Sequence, residues 1–230
     1  MAKLIEKNQR AEHRWPAFIA IVVALTLYAL LPSSFLPVVR FTVVGIGILL
    51  LIPVFAINPL RMTKETKWSR VLSIGLTGLL ATANAVALVQ LVMQLVSGDK
   101  KDGLTLVLAA LQVWTTQIIV FALIFWELDR GGPVTRTQAD RVKLPEADFR
   151  FPQDENDDTV VEVAMGSSGK SNWTANFVDY LYYSISNSMA FSPPDAVPLT
   201  NRAKILTALE AFGAYILLVL VIARAVSLLG

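Results

Sequence analysis

The sequence predicts an all-α membrane protein with five transmembrane helices and one re-entrant half-helix. Three observations point that way. The 230 residues are 54% hydrophobic and only 17% charged, where a soluble domain carries about a quarter charged residues. The apolar residues are gathered into long runs instead of being spread along the chain. The basic residues fall mainly into alternate links between those runs.

A helix needs about 20 apolar residues to cross the hydrocarbon core. The runs at residues 15–31, 37–57, 71–96, 104–126 and 205–229 meet or approach that length. The first is short, and the third is long enough to tilt. The first is not expected to be a cleaved leader, because no small-residue cleavage site follows it.

Lysine and arginine placement sets the direction of the spans. The N-terminal tail holds Lys3, Lys7, Arg10 and Arg14, and the link after the second run holds Arg61, Lys64, Lys67 and Arg70. The link at 32–36 has no basic residue. A multi-pass protein of the cell membrane with a cytoplasmic N-terminus is expected. Its parts are a cytoplasmic tail (1–14), a four-helix membrane region (15–128), a cytoplasmic, partly disordered loop (129–172), and a re-entrant segment with the last helix (173–230).

Several function classes are excluded by composition. With no cysteine there is no disulfide scaffold, thiol catalyst or thiolate metal site, and the lone histidine is His13. The formal net charge of +2 gives no reason to expect a nucleic-acid partner. A membrane enzyme would need a nucleophile–base pair or a metal set, and none is visible. No cofactor is expected. The stretch AMGSSGKS at 164–171 matches a loose phosphate-loop pattern. That chemistry needs an α/β sheet around the loop, so the stretch reads as a linker. The run at 159–163 is β-prone and reads as one short strand. Asn172-Trp173-Thr174 is a glycosylation triplet on the side where it would go unused.

Residues 176–191 do not fit a simple span. They are aromatic and half-apolar, yet hold Asp179, Ser184, Ser186, Asn187 and Ser188, and Ser192-Pro193-Pro194-Asp195 breaks the helix. Irregular backbone at membrane depth is tolerated where protein or a water-filled cavity surrounds it. A polar re-entrant loop before a final apolar helix is the layout of a pore.

The stretch LYYSISNSMAFSPPDAVPLT at 181–200 resembles the pore helix, filter and following turn of potassium channels. Tyr182, Tyr183 and Ser184 fall on an aromatic pair and a small residue, and Asp195 on the aspartate after the filter. Residues 206–225 are similar to the inner helix of bacterial two-helix pore domains, including Glu210 and Gly213. The filter-like positions are Ser188, Met189, Ala190, Phe191, Ser192, Pro193, Pro194 and Asp195. The resemblance implies a homo-oligomer, specifically a tetramer, passing a small inorganic cation. The filter glycines are replaced, however, and two prolines fix the backbone and remove donors. Stacked carbonyls are therefore not expected, and side chains would set selectivity. The charge pattern places the loop on the cytoplasmic side, as in ionotropic glutamate receptors. More broadly, FWELDRGG at 125–132 and DFRFP at 148–152 resemble a bacterial integral-membrane family of unknown function.

Ser184, Asn187 and Glu210 are the pore-lining candidates. Each also has a plainer reading. Glu210 would pair with Lys204 or Arg202 at the interface, and the small polar residues would join helices by hydrogen bonds. Asp195 would attract cations or satisfy turn amides. Glu127, Asp129 and Arg130 would clamp the re-entrant segment or form an interfacial charge pair, the second being the commoner arrangement. Asn84, Gln90, Gln94, Gln112 and Gln117 read as helix-packing amides. The alternative to a pore is a non-conducting scaffold or interaction protein that retains a pore-like fold.

Overall fold

The computed structural model describes residues 11–32, 35–96, 103–189 and 194–229. The chain is mostly helical. In order, the helices are α1 (Trp15–Ala29), α2 (Pro37–Ile57), α3 (Lys67–Val96), α4 (Gly103–Leu128), α5 (Pro133–Gln138), α6 (Val161–Ala164), α7 (Ser168–Ser171), α8 (Phe177–Ser188) and α9 (Asn201–Leu229). Four of them, α2, α3, α4 and α9, are long and apolar enough to cross a membrane, as a multi-pass membrane protein requires. The helix α1 is apolar but has only 15 residues.

The central helix is α4. Over its most apolar stretch 56% of the residues are buried, against 22% for α9. Ala109, Ala110, Val113, Val120 and Ala122 are buried on it, and their small side chains let α1, α3, α8 and α9 pack close around it. The other long helices keep an apolar face outward. On α9 that face is Ile205, Leu209, Phe212, Val219 and Ile222, which recur at helical spacing and suit a hydrocarbon solvent.

One end of the bundle gathers most of the polar contacts. There the backbone N–H of Arg14 donates to the carbonyl of Leu60 at 3.1 Å, which ties the start of α1 to the end of α2. Arg70 in the first turn of α3 donates to the carbonyl of Gly131, just past α4, at 2.6 Å. Gly131 and Gly132 have φ of 79° and 94°, a region glycine occupies at little cost, and they reverse the chain into α5.

The segment between α4 and α8 folds over this end. The two-residue strand β1 (Phe149–Arg150) pairs antiparallel with β2 (Val197–Pro198), with Phe149 opposite Pro198. Phe149 and Phe151 are buried against Phe125, Tyr180 and Tyr183, with ring centroids 4.9 Å apart for Phe149 and Tyr183. The segment thus borrows its core from α4 and α8. The strand expected at 159–163 does not form, and Val161–Ala164 is a helical turn instead. Strand propensity acts through pairing with a neighbour, and the partner strand here lies beside β1. The linker at 164–171 contains α7, capped by Ser167 and anchored where Ser168 Oγ donates to Asp154 at 2.8 Å.

The path of α8 matters most. Its 12 residues rise about 18 Å, against about 30 Å of hydrocarbon. Asn176 caps it, accepting from Val178 N–H at 2.9 Å, while Asp179 accepts from Asn176 N–H at 2.8 Å. The helix starts beside the last turn of α4, where Trp126 and Phe177 meet edge to face. Deeper in, Ser184 reaches the carbonyl of Ile118 at 2.8 Å. By Val197 the chain is back at the starting end, paired with β1. Both ends of this excursion are fastened to one end of the bundle.

Candidate functional site

The site forms where α4, α8 and α9 meet. Positions 184 and 187 on α8 are three apart and share a face. That face is turned toward α9, where Thr207 and Glu210 stand three apart in turn. The carboxylate of Glu210 is fully buried. Ser184 Oγ lies in hydrogen-bonding contact with Glu210 Oε1, and Asn187 Nδ2 donates to Glu210 Oε2 at 2.7 Å. The same amide donates to the carbonyl of Thr207 at 3.0 Å.

Gln117 on α4 closes the other side. Its Nε2 donates to the main-chain carbonyl of Glu210 at 2.9 Å, while its Oε1 is buried with no donor among the described residues. Gly213 makes this approach possible. A Cβ at that position would lie 2.8 Å from Gln117 Nε2. Gly213→Leu is therefore expected to force α4 and α9 apart and cost about 2–3 kcal/mol. Thermal unfolding of the detergent-purified variant measures that loss.

Ser184, Asn187 and Glu210 are thus brought together, with Glu210 bonded to α8. Arg202 is engaged elsewhere, by Asp148, with Nε to Oδ1 at 2.7 Å. Among the described residues no cationic side chain pairs with Glu210. The three residues bond to one another inside a single chain.

A surface cleft lies on the way to this cluster. It is lined by Phe151, Asp179, Tyr182, Tyr183, Pro194 and Asp195, among others. Tyr183 forms part of its wall, and the Tyr183 hydroxyl meets Thr207 Oγ1 at 2.9 Å. Polar groups therefore lead from the cleft through Tyr183, Thr207 and Asn187 to Glu210.

The filter-like positions are treated unevenly by the structure. Ser188 is buried and its hydroxyl donates back to Ile185 at 3.1 Å, which is a helix-end contact. Met189 follows α8 and is half exposed. Pro194 and Asp195 line the cleft, Asp195 being exposed. Ala190, Phe191, Ser192 and Pro193 lie outside the described residues.

A polar joint holds α8 in place, and the sequence reading offered it only as the less common alternative for Glu127, Asp129 and Arg130. Asp129, read more readily as half of an interfacial pair, is fully buried and accepts from the Tyr180 hydroxyl of α8 at 2.5 Å. Arg136 and Glu12 were not singled out, yet both are buried in the same joint. Asp148 accepts from Thr200 Oγ1 at 2.5 Å and fastens the start of α9. The available signal was the run FWELDRGG followed by DFRFP, whose two aspartates are Asp129 and Asp148.

No protein-family model, curated protein or solved structure matches this chain.

Proposed function

We propose that the protein is a channel-like membrane protein for a small cation. In this reading α1, α2, α3, α4 and α9 cross the bilayer. The helix α8 and the turn after it dip in from the cytoplasmic side and return. Copies of the chain assemble around an axis, four of them as the resemblance to potassium channels implies. The cleft with Asp179 and Asp195 is the cytoplasmic mouth, and Glu210 is the innermost polar site.

One observation carries this reading. At the tip of a helix too short to cross, a buried carboxylate is held by a hydroxyl and an amide with no countercharge among the described residues. An uncompensated charge at membrane depth is costly, and such residues usually mark an ion or proton path. Either a proton on Glu210 or a small cation beside it relieves that cost. The spare Gln117 Oε1, beside the same turn of α9, supports the second option.

The closure of the cluster within one chain favours a second reading, a non-conducting scaffold in which the same bonds only join helices. Flux of protons, sodium and potassium into liposomes containing the purified protein separates the two. Glu210→Gln keeps the shape and removes the charge, and is expected to lower flux by about tenfold or more. Asp195→Asn at the mouth is expected to lower it less. Absence of flux, together with a monomer in mild detergent, would leave the scaffold.

A further inference from the structure

A second cleft opens at the same end of the bundle, between the starts of α1 and α3 and the ends of α2 and α4. Its charged lining residues are Arg14, Lys64, Glu65, Arg70 and Glu127. Four of these are accounted for. Arg70 is held by Glu65 at 3.1 Å and by the carbonyl of Gly131. Glu127 is engaged by the hydroxyl of Ser73. Lys64 is exposed at the rim.

Arg14 is different. It is only 9% exposed, yet among the described residues its guanidinium makes no hydrogen bond or ion pair. Glu127 attracts it through space, while Ser73 engages one oxygen of that carboxylate. The side chain is mostly covered, while its guanidinium, with five donors, lines the cleft and is open to an acceptor that enters it. The cleft it lines also holds Lys64, and Lys67 stands nearby at the start of α3.

The surroundings say what acceptor fits. Near the cleft, Leu60 past the end of α2 and Trp68 in the first turn of α3 are 64% and 77% exposed, and Trp15 beside Arg14 is 44% exposed. Exposed tryptophan next to basic residues at a helix end is the pattern of the bilayer interface. Basic pockets between transmembrane helices take lipid head groups.

We propose that this cleft binds the phosphodiester of an anionic phospholipid, with Arg14 and Lys64 on the phosphate oxygens and the exposed Leu60 and Trp68 against the acyl region. The site does not depend on conduction through Glu210. A free phosphate shares the charged half of this chemistry but has nothing for the apolar half.

The test uses the full chain purified in an uncharged detergent and follows its thermal unfolding. Dioctanoylphosphatidylglycerol, dioctanoylphosphatidylcholine and inorganic phosphate are titrated separately. A saturable rise in Tm is expected with the anionic lipid, at a half-point about tenfold or more below those of the other two. Arg14→Gln is expected to raise that half-point about tenfold and Lys64→Gln about fivefold. Lys204→Gln, an exposed lysine on α9, should leave it unchanged. If Arg14→Gln does not fold, Lys64→Gln set against Lys204→Gln still decides. No saturable rise, or equal potency of the zwitterionic lipid, overturns the proposal. Equal potency of inorganic phosphate overturns the lipid in favour of a simple anion pocket. A loss with Lys204→Gln as large as with Lys64→Gln reduces the effect to general surface charge.

Discussion

Asp129→Ala is expected to cost about 3–5 kcal/mol, seen as a fall of about 10 °C in the melting temperature of the detergent-solubilised protein. The carboxylate is fully buried and has four donors around it. The backbone N–H groups of Asp148 and Phe149 donate to Oδ1 at 2.7 and 3.3 Å. The Tyr180 hydroxyl and Arg130 Nη1 donate to Oδ2 at 2.5 and 3.0 Å. Alanine strands all four at once, and each buried donor left unmade costs far more than a surface bond. The loss also has a direction. These bonds join the end of α4 to β1 and to the first turn of α8, so α8 is released along with the loop. Tyr180→Phe removes only one of the four donors and is expected to cost about 1–2 kcal/mol. If Asp129→Ala melts no lower than Tyr180→Phe, the joint does not hold α8 and its geometry is incidental.

The parts of this structure that could be read in advance are those where the solvent imposes the pattern. Hydrocarbon demands long apolar runs, so α2, α3, α4 and α9 stand out in the sequence. The mixture of aromatic and small polar residues at 176–188 marked α8 as unlike them. Ser184, Asn187 and Glu210 were legible one at a time, because a polar side chain in an apolar helix attracts notice. Their meeting required the crossing of α8 and α9, which no local pattern encodes.

The joint was hidden for the opposite reason. Arg136 sits in a polar stretch where an arginine is unremarkable, and Glu12 lies in a charged tail 114 positions before Trp126, whose indole N–H it accepts. Residues 159–163 misled because their valines favour a strand in isolation. Phe149–Arg150 became the strand because Asp129 and Arg202 grip Asp148 beside it.

Arg136→Met is expected to lose a similar 3–5 kcal/mol or so, and the loss should depend on pH. The guanidinium is fully buried. Nε donates to the carbonyl of Ala175 at 2.8 Å, and Nη1 to the carbonyls of Trp126 and Asp129 at 3.1 Å each. Nη2 lies 3.5 Å from Glu12 Oε2, close enough for an ion pair but without a hydrogen bond. Methionine matches the length and strands three carbonyls and the carboxylate.

Burial pushes the Glu12 carboxyl above its ordinary range, opposed first by Arg136 and then by the N–H groups of Phe177 and Trp126. Without Arg136 it rises further. A carboxyl that holds its proton more tightly when folded favours the folded state in acid, and that advantage is lost as pH climbs through the folded value. The gap in Tm between wild type and Arg136→Met should therefore be wide at about pH 8 and narrower at about pH 5. Adding Glu12→Gln to Arg136→Met should flatten it. A gap that stays constant, or widens in acid, would show that Glu12 is not the group Arg136 compensates.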